Sequence, residues 1–171
     1  MNLNIIISSA KDNLILIRKL CGFELLTILK IPKGYEIKLI KFSPLNFIYI
    51  LCDYLNKEKQ TKSTIFGYTV SGIKFIQCKF DVINNICFTN DGDLILGFYN
   101  RPYLYICKGS SLSVIYKRLI SYDNFKINKI YWFEEYHLNK KIKILMTINE
   151  TKNLLYYIKN EKELWKDVNY N

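Results

Sequence analysis

The chain has 171 residues, half of them hydrophobic and 15% aromatic, with a formal net charge of +10. That length can hold a domain with a real core, and the apolar content excludes a disordered or linker-like chain. Seven glycines and three prolines exclude collagen-like sequence, while fourteen tyrosines and ten phenylalanines suit the pleated, half-buried surface of a β-sheet.

Asn4 to Ser9 reads as a strand, Leu14 to Arg18 as a second, and Phe23 to Ile31 as a third after the turn at Cys21-Gly22. A repeat then begins. Ile37, Ile40 and Phe42 form the pattern I-x-x-I-x-aromatic, and it returns as Ile83, Ile86, Phe88 and as Ile127, Ile130, Trp132. The copies lie about 45 residues apart, within the range of four-stranded propeller repeats. Each is followed by turn-like or polar residues: Ser43 to Asn46, Thr89 to Gly92, and Glu134-Glu135. The apolar spacing mixes periods of two and three, and the turn residues with the β-branched content decide for strand.

Behind each copy come two apolar strands around a polar turn. These are Ile48 to Leu51 and Thr64 to Tyr68, then Leu94 to Gly97 and Tyr103 to Ile106, then Lys143 to Ile148 and Leu154 to Ile158. Fourth strands are expected at Ile73 to Phe80 and Leu112 to Leu119, and the polar tail 159–171 is expected to fray or form a short helix. The expected fold class is all-β: a partial β-propeller of about three and a half four-stranded antiparallel blades, WD-repeat-like. It covers residues 1–158 in units 4–31, 37–80, 83–119 and 127–158. Four to eight blades close a ring, so further blades are expected on a longer chain, a separate chain or a second copy.

The segment Ser8 to Arg18 resembles the S-x-S-x-D-x-T-I-x-I-W core of a WD repeat. Asp12 falls on the family's turn aspartate, Ile15 and Ile17 on buried strand positions, and Arg18 where the tryptophan stands. Gly97 and Asn100 match turn positions, with Tyr103 and Tyr105 on the strand. No Gly-His or Trp-Asp pair occurs, so the family's Asp–His–Ser–Trp network cannot form in full. Over Ile6 to Leu29, Thr64 to Gln77 and Val82 to Tyr105 the chain is similar to the C-terminal propeller of BEACH-domain proteins, the neurobeachin-like group. This resemblance implies a scaffold in vesicle traffic, and implies no catalysis.

His137 is the single histidine and reads as a solvated loop residue beside Glu134 and Glu135. The cysteines (Cys21, Cys52, Cys78, Cys87, Cys107) are odd in number and without C-x-x-C spacing, which reads as buried thiols in a reducing compartment. Asp91/Asp93 and Glu134/Glu135 read as turn residues. No nucleophile elbow, zinc-helix motif or phosphate loop is present. The expectation is therefore a protein that is not an enzyme and carries no metal or cofactor. Tyr103, Tyr105, Tyr131, Trp132 and Phe133 read as packing between blades.

Two lysine groups, Lys57/Lys59/Lys62 and Lys140/Lys141/Lys143, are placed in loops as candidate contacts with other proteins or an anionic membrane surface. A basic WD-repeat component of an RNA-binding complex is the alternative, with Lys108, Lys117, Arg118 and Lys129 beside the aromatics. A cytoplasmic location, peripheral at membranes, is expected: no apolar run is long enough to span a bilayer and Met1 to Asn4 lacks a basic leader.

Overall fold

A computed structural model describes residues 4–10, 12–99, 101, 103–119, 129–137, 140–148, 153–158 and 166–168. Regular structure among them is all β, and the chain divides into two compact units, Met1–Val82 and Ile83–Asn171.

The first unit opens with a three-stranded antiparallel sheet: β1 (Ile5–Ser9), β2 (Leu14–Lys19) and β3 (Leu25–Lys30), in that order. A four-stranded meander follows: β4 (Tyr35–Phe42), β5 (Phe47–Leu55), β6 (Thr61–Thr69) and β7 (Lys74–Phe80). The core joins the two sheets. Ile15, Ile17, Leu29 and Ile31 meet Ile48, Ile50, Cys52, Phe66 and Tyr68, with Ile5, Ile7, Tyr35, Ile37 and Ile40 packed around them. β2 buries every second residue, whereas β5 and β6 are buried almost continuously on both faces.

The second unit holds two four-stranded antiparallel sheets. One is β8 (Ile83–Phe88), β9 (Leu94–Phe98), β10 (Tyr103–Cys107) and β11 (Val114–Leu119). The other is β12 (Lys129–His137), β13 (Lys140–Ile148), β14 (Asn153–Ile158) and β15 (Lys166–Val168). Ile83, Ile86, Leu94, Ile95, Leu96, Leu104 and Ile130 are buried there. Asn90 Nδ2 donates to Glu134 Oε2 at 2.6 Å, tying the β8–β9 turn to β12.

The mixed spacing of the repeat has a structural cause. The β4–β5 register slips between Ile37 and Leu39, and the β8–β9 register slips between Ile83 and Asn85. One extra residue, Lys38 or Asn84, resets the alternation, so isoleucines three apart come to the same face. Ile83 and Ile86 are accordingly 4% and 1% exposed. Ile127 lies outside the described residues. The repeat's aromatic is less buried than its isoleucines: Phe42 is 37% exposed, and Phe88 and Trp132 are half-buried.

One device closes four hairpins. A Ser, Thr or Asn side-chain oxygen at the first position accepts the N–H four residues on, and the residue before that donor takes a left-handed backbone. Ser43 Oγ accepts from Phe47, Asn56 Oδ1 from Gln60, Thr69 Oγ1 from Ile73, and Thr89 Oγ1 from Asp93. The left-handed residues are Asn46, Lys59, Gly72 and Gly92. Short polar side chains satisfy turn backbone in this way. In the first turn Asp12 does the same from a different position, accepting from Leu14 N at 3.0 Å, and left-handed Asn13 donates to Tyr35 O at 3.0 Å.

Three expectations are corrected. Lys166–Val168 within the polar tail is a strand that pairs with Leu155–Tyr157, so the last sheet has four strands rather than three. Backbone pairing at a sheet edge needs no apolar side chains, so polar sequence concealed it. Second, Glu134 to His137 continue β12 and are not a loop. Third, Lys140, Lys141 and Lys143 lie on β13, opposite His137, Tyr136 and Glu134 respectively. Ladder pairing satisfies backbone N–H and C=O groups whatever the side chain, so charged residues extend the strand here.

Candidate interaction surface

Lys57 and Lys59 project from the β5–β6 turn and are exposed, with Lys59 held at φ 58°. Asn56 Oδ1 fixes the turn by accepting from Glu58 N at 3.0 Å and Gln60 N at 2.8 Å. Lys62 is not part of the loop. It sits on β6, half-buried, and its ammonium is 2.8 Å from Asp81 Oδ1. Lys38 lies 3.2 Å from Glu36 and 3.9 Å from Asp53. The turn therefore presents two of the three expected lysines.

The β2–β3 turn, expected at Cys21-Gly22 but not among the candidate contacts, extends through Phe23, so the strand begins at Leu25 rather than Phe23. Its residues Leu20 to Phe23 are all exposed, and Phe23 is left-handed at φ 52° with its side chain 63% exposed. A bulky residue rarely adopts that backbone, which costs on the order of 1 kcal/mol or more. Three contacts hold it. Arg18 Nη1 donates to Phe23 O at 3.1 Å, Lys19 N donates to Glu24 O at 2.9 Å, and Lys19 Nζ is 2.6 Å from Glu24 Oε2. Arg18, the residue at the WD-repeat tryptophan position, thus anchors the turn. Leu20, Leu25, Leu26 and Ile28 are exposed along the same hairpin. The signal lay in Leu20 to Phe23: large apolar residues beside a turn glycine, where polar residues are usual.

The second-unit aromatics lie closer to the surface than expected. Lys117 Nζ sits 4.3 Å from the Tyr103 ring centroid and 5.7 Å from that of Tyr105. Tyr105 also meets Phe98 edge-on at 4.7 Å. Tyr131 and Phe133 stack at 6.2 Å with Phe133 exposed, and Trp132 Nε1 donates to Glu134 Oε1 at 3.4 Å.

The five cysteines are free thiols, but only Cys52 and Cys107 are buried; Cys21 is exposed on the Phe23 turn. Burial, with a further push from the Asp53 carboxylate, raises the Cys52 thiol to about 12. Burial also raises Cys78, and burial followed by the nearby Cys52 raises Tyr68. The fold holds the neutral Cys52 thiol. Stability linked to it is fully present below the ordinary value of 9.0 and is lost as pH rises toward about 12. At pH 8 a maleimide is expected to label Cys21 first, with Cys52 and Cys107 reacting only on unfolding. Equal native-state rates for Cys21 and Cys52, read by mass spectrometry of peptides, would contradict this placement.

Among the described residues no group of three or more His, Cys, Asp or Glu side chains is placed to hold a metal ion. No helix among them is long and apolar enough to cross a membrane.

These sheets define an all-β fold of propeller type, in partial form. No protein-family model and no curated protein matches the chain. Solved structures do match. Dihydro-heme d1 dehydrogenase NirN in complex with DHE, of β-propeller-like fold, aligns with a TM-score of 0.64 at 13% identity. The alignment covers 97% of this chain and 35% of the NirN chain, so this chain spans about a third of that protein. At such identity the likeness shows fold alone. A protein of unknown function from Bacteroides caccae aligns with a TM-score of 0.41 at 10% identity, over 96% of this chain and 72% of that one.

Proposed function

We propose that the chain is a non-catalytic protein-interaction scaffold of the WD-repeat propeller kind, docking other proteins through the turns at its sheet ends. The observation that carries this reading is the Phe23 hairpin turn. An aromatic side chain is held out into solvent by a strained backbone that three polar contacts fix, with Leu20 and Leu25 exposed beside it. Strain maintained away from the core points to a selected use, and a preorganised aromatic anchor loses little entropy on binding. Proximity labelling in cells tests it. Phe23→Ala is expected to lose a defined set of neighbours that wild type and Phe42→Ala both keep, with folding stability changed by less than about 0.5 kcal/mol. An identical set of neighbours for all three proteins would sink the reading.

In its BEACH-like form this scaffold serves vesicle traffic at cytosolic membrane faces. Lys57 and Lys59 support that form, each exposed lysine near an anionic leaflet contributing about 1 kcal/mol. Reversing both to glutamate is expected to lower flotation with acidic liposomes several-fold, and unchanged flotation removes the membrane role. Lys62→Glu differs, because it places a carboxylate against Asp81 and destabilises the β6–β7 edge.

The RNA-binding reading draws on the half-buried Tyr103 and Tyr105 with Lys117 over them. Lys117 already occupies the Tyr103 ring face, so a stacking base must displace it. RNA affinity that falls steeply with salt would favour this reading over the scaffold.

A further inference from the structure

The turns of the first unit fall at two ends, and side-chain chemistry divides the same way. Phe42, Ile48, Tyr68 and Lys74 lie level across β4 to β7, which puts the β4–β5 and β6–β7 turns at one end. Asn13 Nδ2 donates to Tyr35 O at 3.0 Å, tying the β1–β2 turn to the start of β4 and so to the opposite end. The β2–β3 turn therefore shares the end of the β4–β5 and β6–β7 turns. The β6–β7 turn lies against β3: a Cβ on Gly72 would stand 2.9 Å from Thr27 Oγ1.

Each of these three turns carries apolar side chains into solvent. Leu20 and Phe23 are 50% and 63% exposed, Leu45 is 52% and Ile73 65%. Leu45 and Ile73 belong to a complete four-stranded sheet, so their exposure does not come from a missing strand. An exposed lysine accompanies each turn: Lys19 before Leu20, Lys41 before the β4–β5 turn, and Lys74 after Ile73. Among the described residues of the unit, Glu24 is the one carboxylate at this end, and it is 2.6 Å from Lys19 Nζ. Asp12, Glu36, Asp53, Glu58 and Asp81 all lie toward the opposite end. Leu55 is exposed at that end as well, but next to a turn that carries Glu58. The amides at the apolar tips are paired within their own turns. Asn46 N donates to Ser43 O and Gly72 N to Thr69 O, both at 3.0 Å, and Ile73 N donates to Thr69 Oγ1 at 3.1 Å. Entry into a less polar medium therefore leaves these amides satisfied.

We propose that this end of the first unit docks on an anionic bilayer. Leu20, Phe23, Leu45 and Ile73 enter the headgroup region, and Lys41 and Lys74 meet the lipid headgroups. Burial of apolar tips and attraction of cations to an anionic leaflet reinforce each other at a membrane surface. Lysine stems lie along the apolar layer while their ammonium groups stay in water. The proposal rests on the membrane form of the scaffold reading and gives it an inserting end, opposite the Lys57–Lys59 turn, which reaches headgroups by charge alone. Protein docking rests on Phe23, so the test varies Leu45 and Ile73 and leaves the Phe23 turn intact.

The probe is a phosphatidylcholine vesicle containing phosphatidylserine, floated with the intact purified chain. Leu45→Ser together with Ile73→Ser is expected to weaken vesicle binding at least about tenfold while thermal unfolding stays near wild type. Lys41→Glu together with Lys74→Glu should weaken it several-fold. A fluorophore on Cys21 should be quenched by lipids brominated in their acyl chains, and one on Lys57→Cys, with Cys21→Ser, should not. Wild-type binding by the Leu45 and Ile73 variant overturns the proposal, as does quenching at Lys57→Cys in place of Cys21. Absence of vesicle binding by the wild-type chain overturns it too. If it fails in any of these ways while Phe23→Ala still loses its cellular neighbours, this end docks protein and the scaffold reading stands without it. Vesicle binding as expected, with unchanged neighbours for Phe23→Ala, leaves the bilayer as the occupant and removes the protein.

Discussion

Phe66→Ala is expected to destabilise the first unit by about 3–5 kcal/mol, measured as a lowered urea midpoint with an unchanged slope. Phe66 is fully buried at the centre of β6, within the cluster that joins the two sheets. Its ring meets Tyr35 edge-on, 5.2 Å between centroids at 79°. Truncation loses the transfer energy of the ring, leaves a cavity between two sheets that are each pinned by their own ladders, and removes an aromatic pair worth about 0.5–1.5 kcal/mol. Against a total stability of roughly 5–15 kcal/mol this is a large fraction. Phe42→Ala is the control. Its side chain is 37% exposed, and its loss should cost about 1 kcal/mol or less. Equal midpoints for the two variants would place the core elsewhere.

The strands were legible in the sequence because their information is local. Runs such as Ile48 to Leu51 and Leu94 to Gly97 are short, apolar and bounded by turn residues, and backbone pairing follows from neighbouring hairpins. The spacing of Ile37 and Ile40 was legible as a repeat but not as a bulge, since a bulge is a relation between two strands. The turns at Ser43 and Asn56 were legible as turns, but the side-chain bonds and left-handed residues that close them, and those of the turn at Thr69, were not. Their left-handed position holds Asn, Lys or Gly, so residue type does not announce it. His137 and the lysines of β13 read as loop because solvated strand ends and loops share a composition, and only register separates them. The Phe23 turn was readable in principle, from apolar residues set at a hairpin glycine. What Arg18 does there needed the geometry.

Gly67→Ala is expected to cost about 1–3 kcal/mol, although alanine is at least as good a strand residue and the backbone there is not left-handed. The cause is overlap across strands. A Cβ on Gly67 would stand 2.5 Å from Ile76 Cγ2 and 2.7 Å from Phe75 Cζ. The β6–β7 register slips between Gly67 and Tyr68, and the Phe75 ring lies 4.9 Å from the Phe47 centroid and 5.9 Å from that of Tyr49. The missing side chain at Gly67 is therefore what lets Phe75 lie against β5 and β6. A double-mutant cycle separates this crowding from any general weakening of the strand. Ile76→Ala removes the nearer clashing methyl at a cost of its own. In the Gly67→Ala background that cost should shrink by about 1 kcal/mol, because the methyl it deletes is the one the new Cβ strikes. Strict additivity in urea unfolding would mean that the added Cβ is relieved elsewhere, and that Gly67 does not set the packing of Phe75.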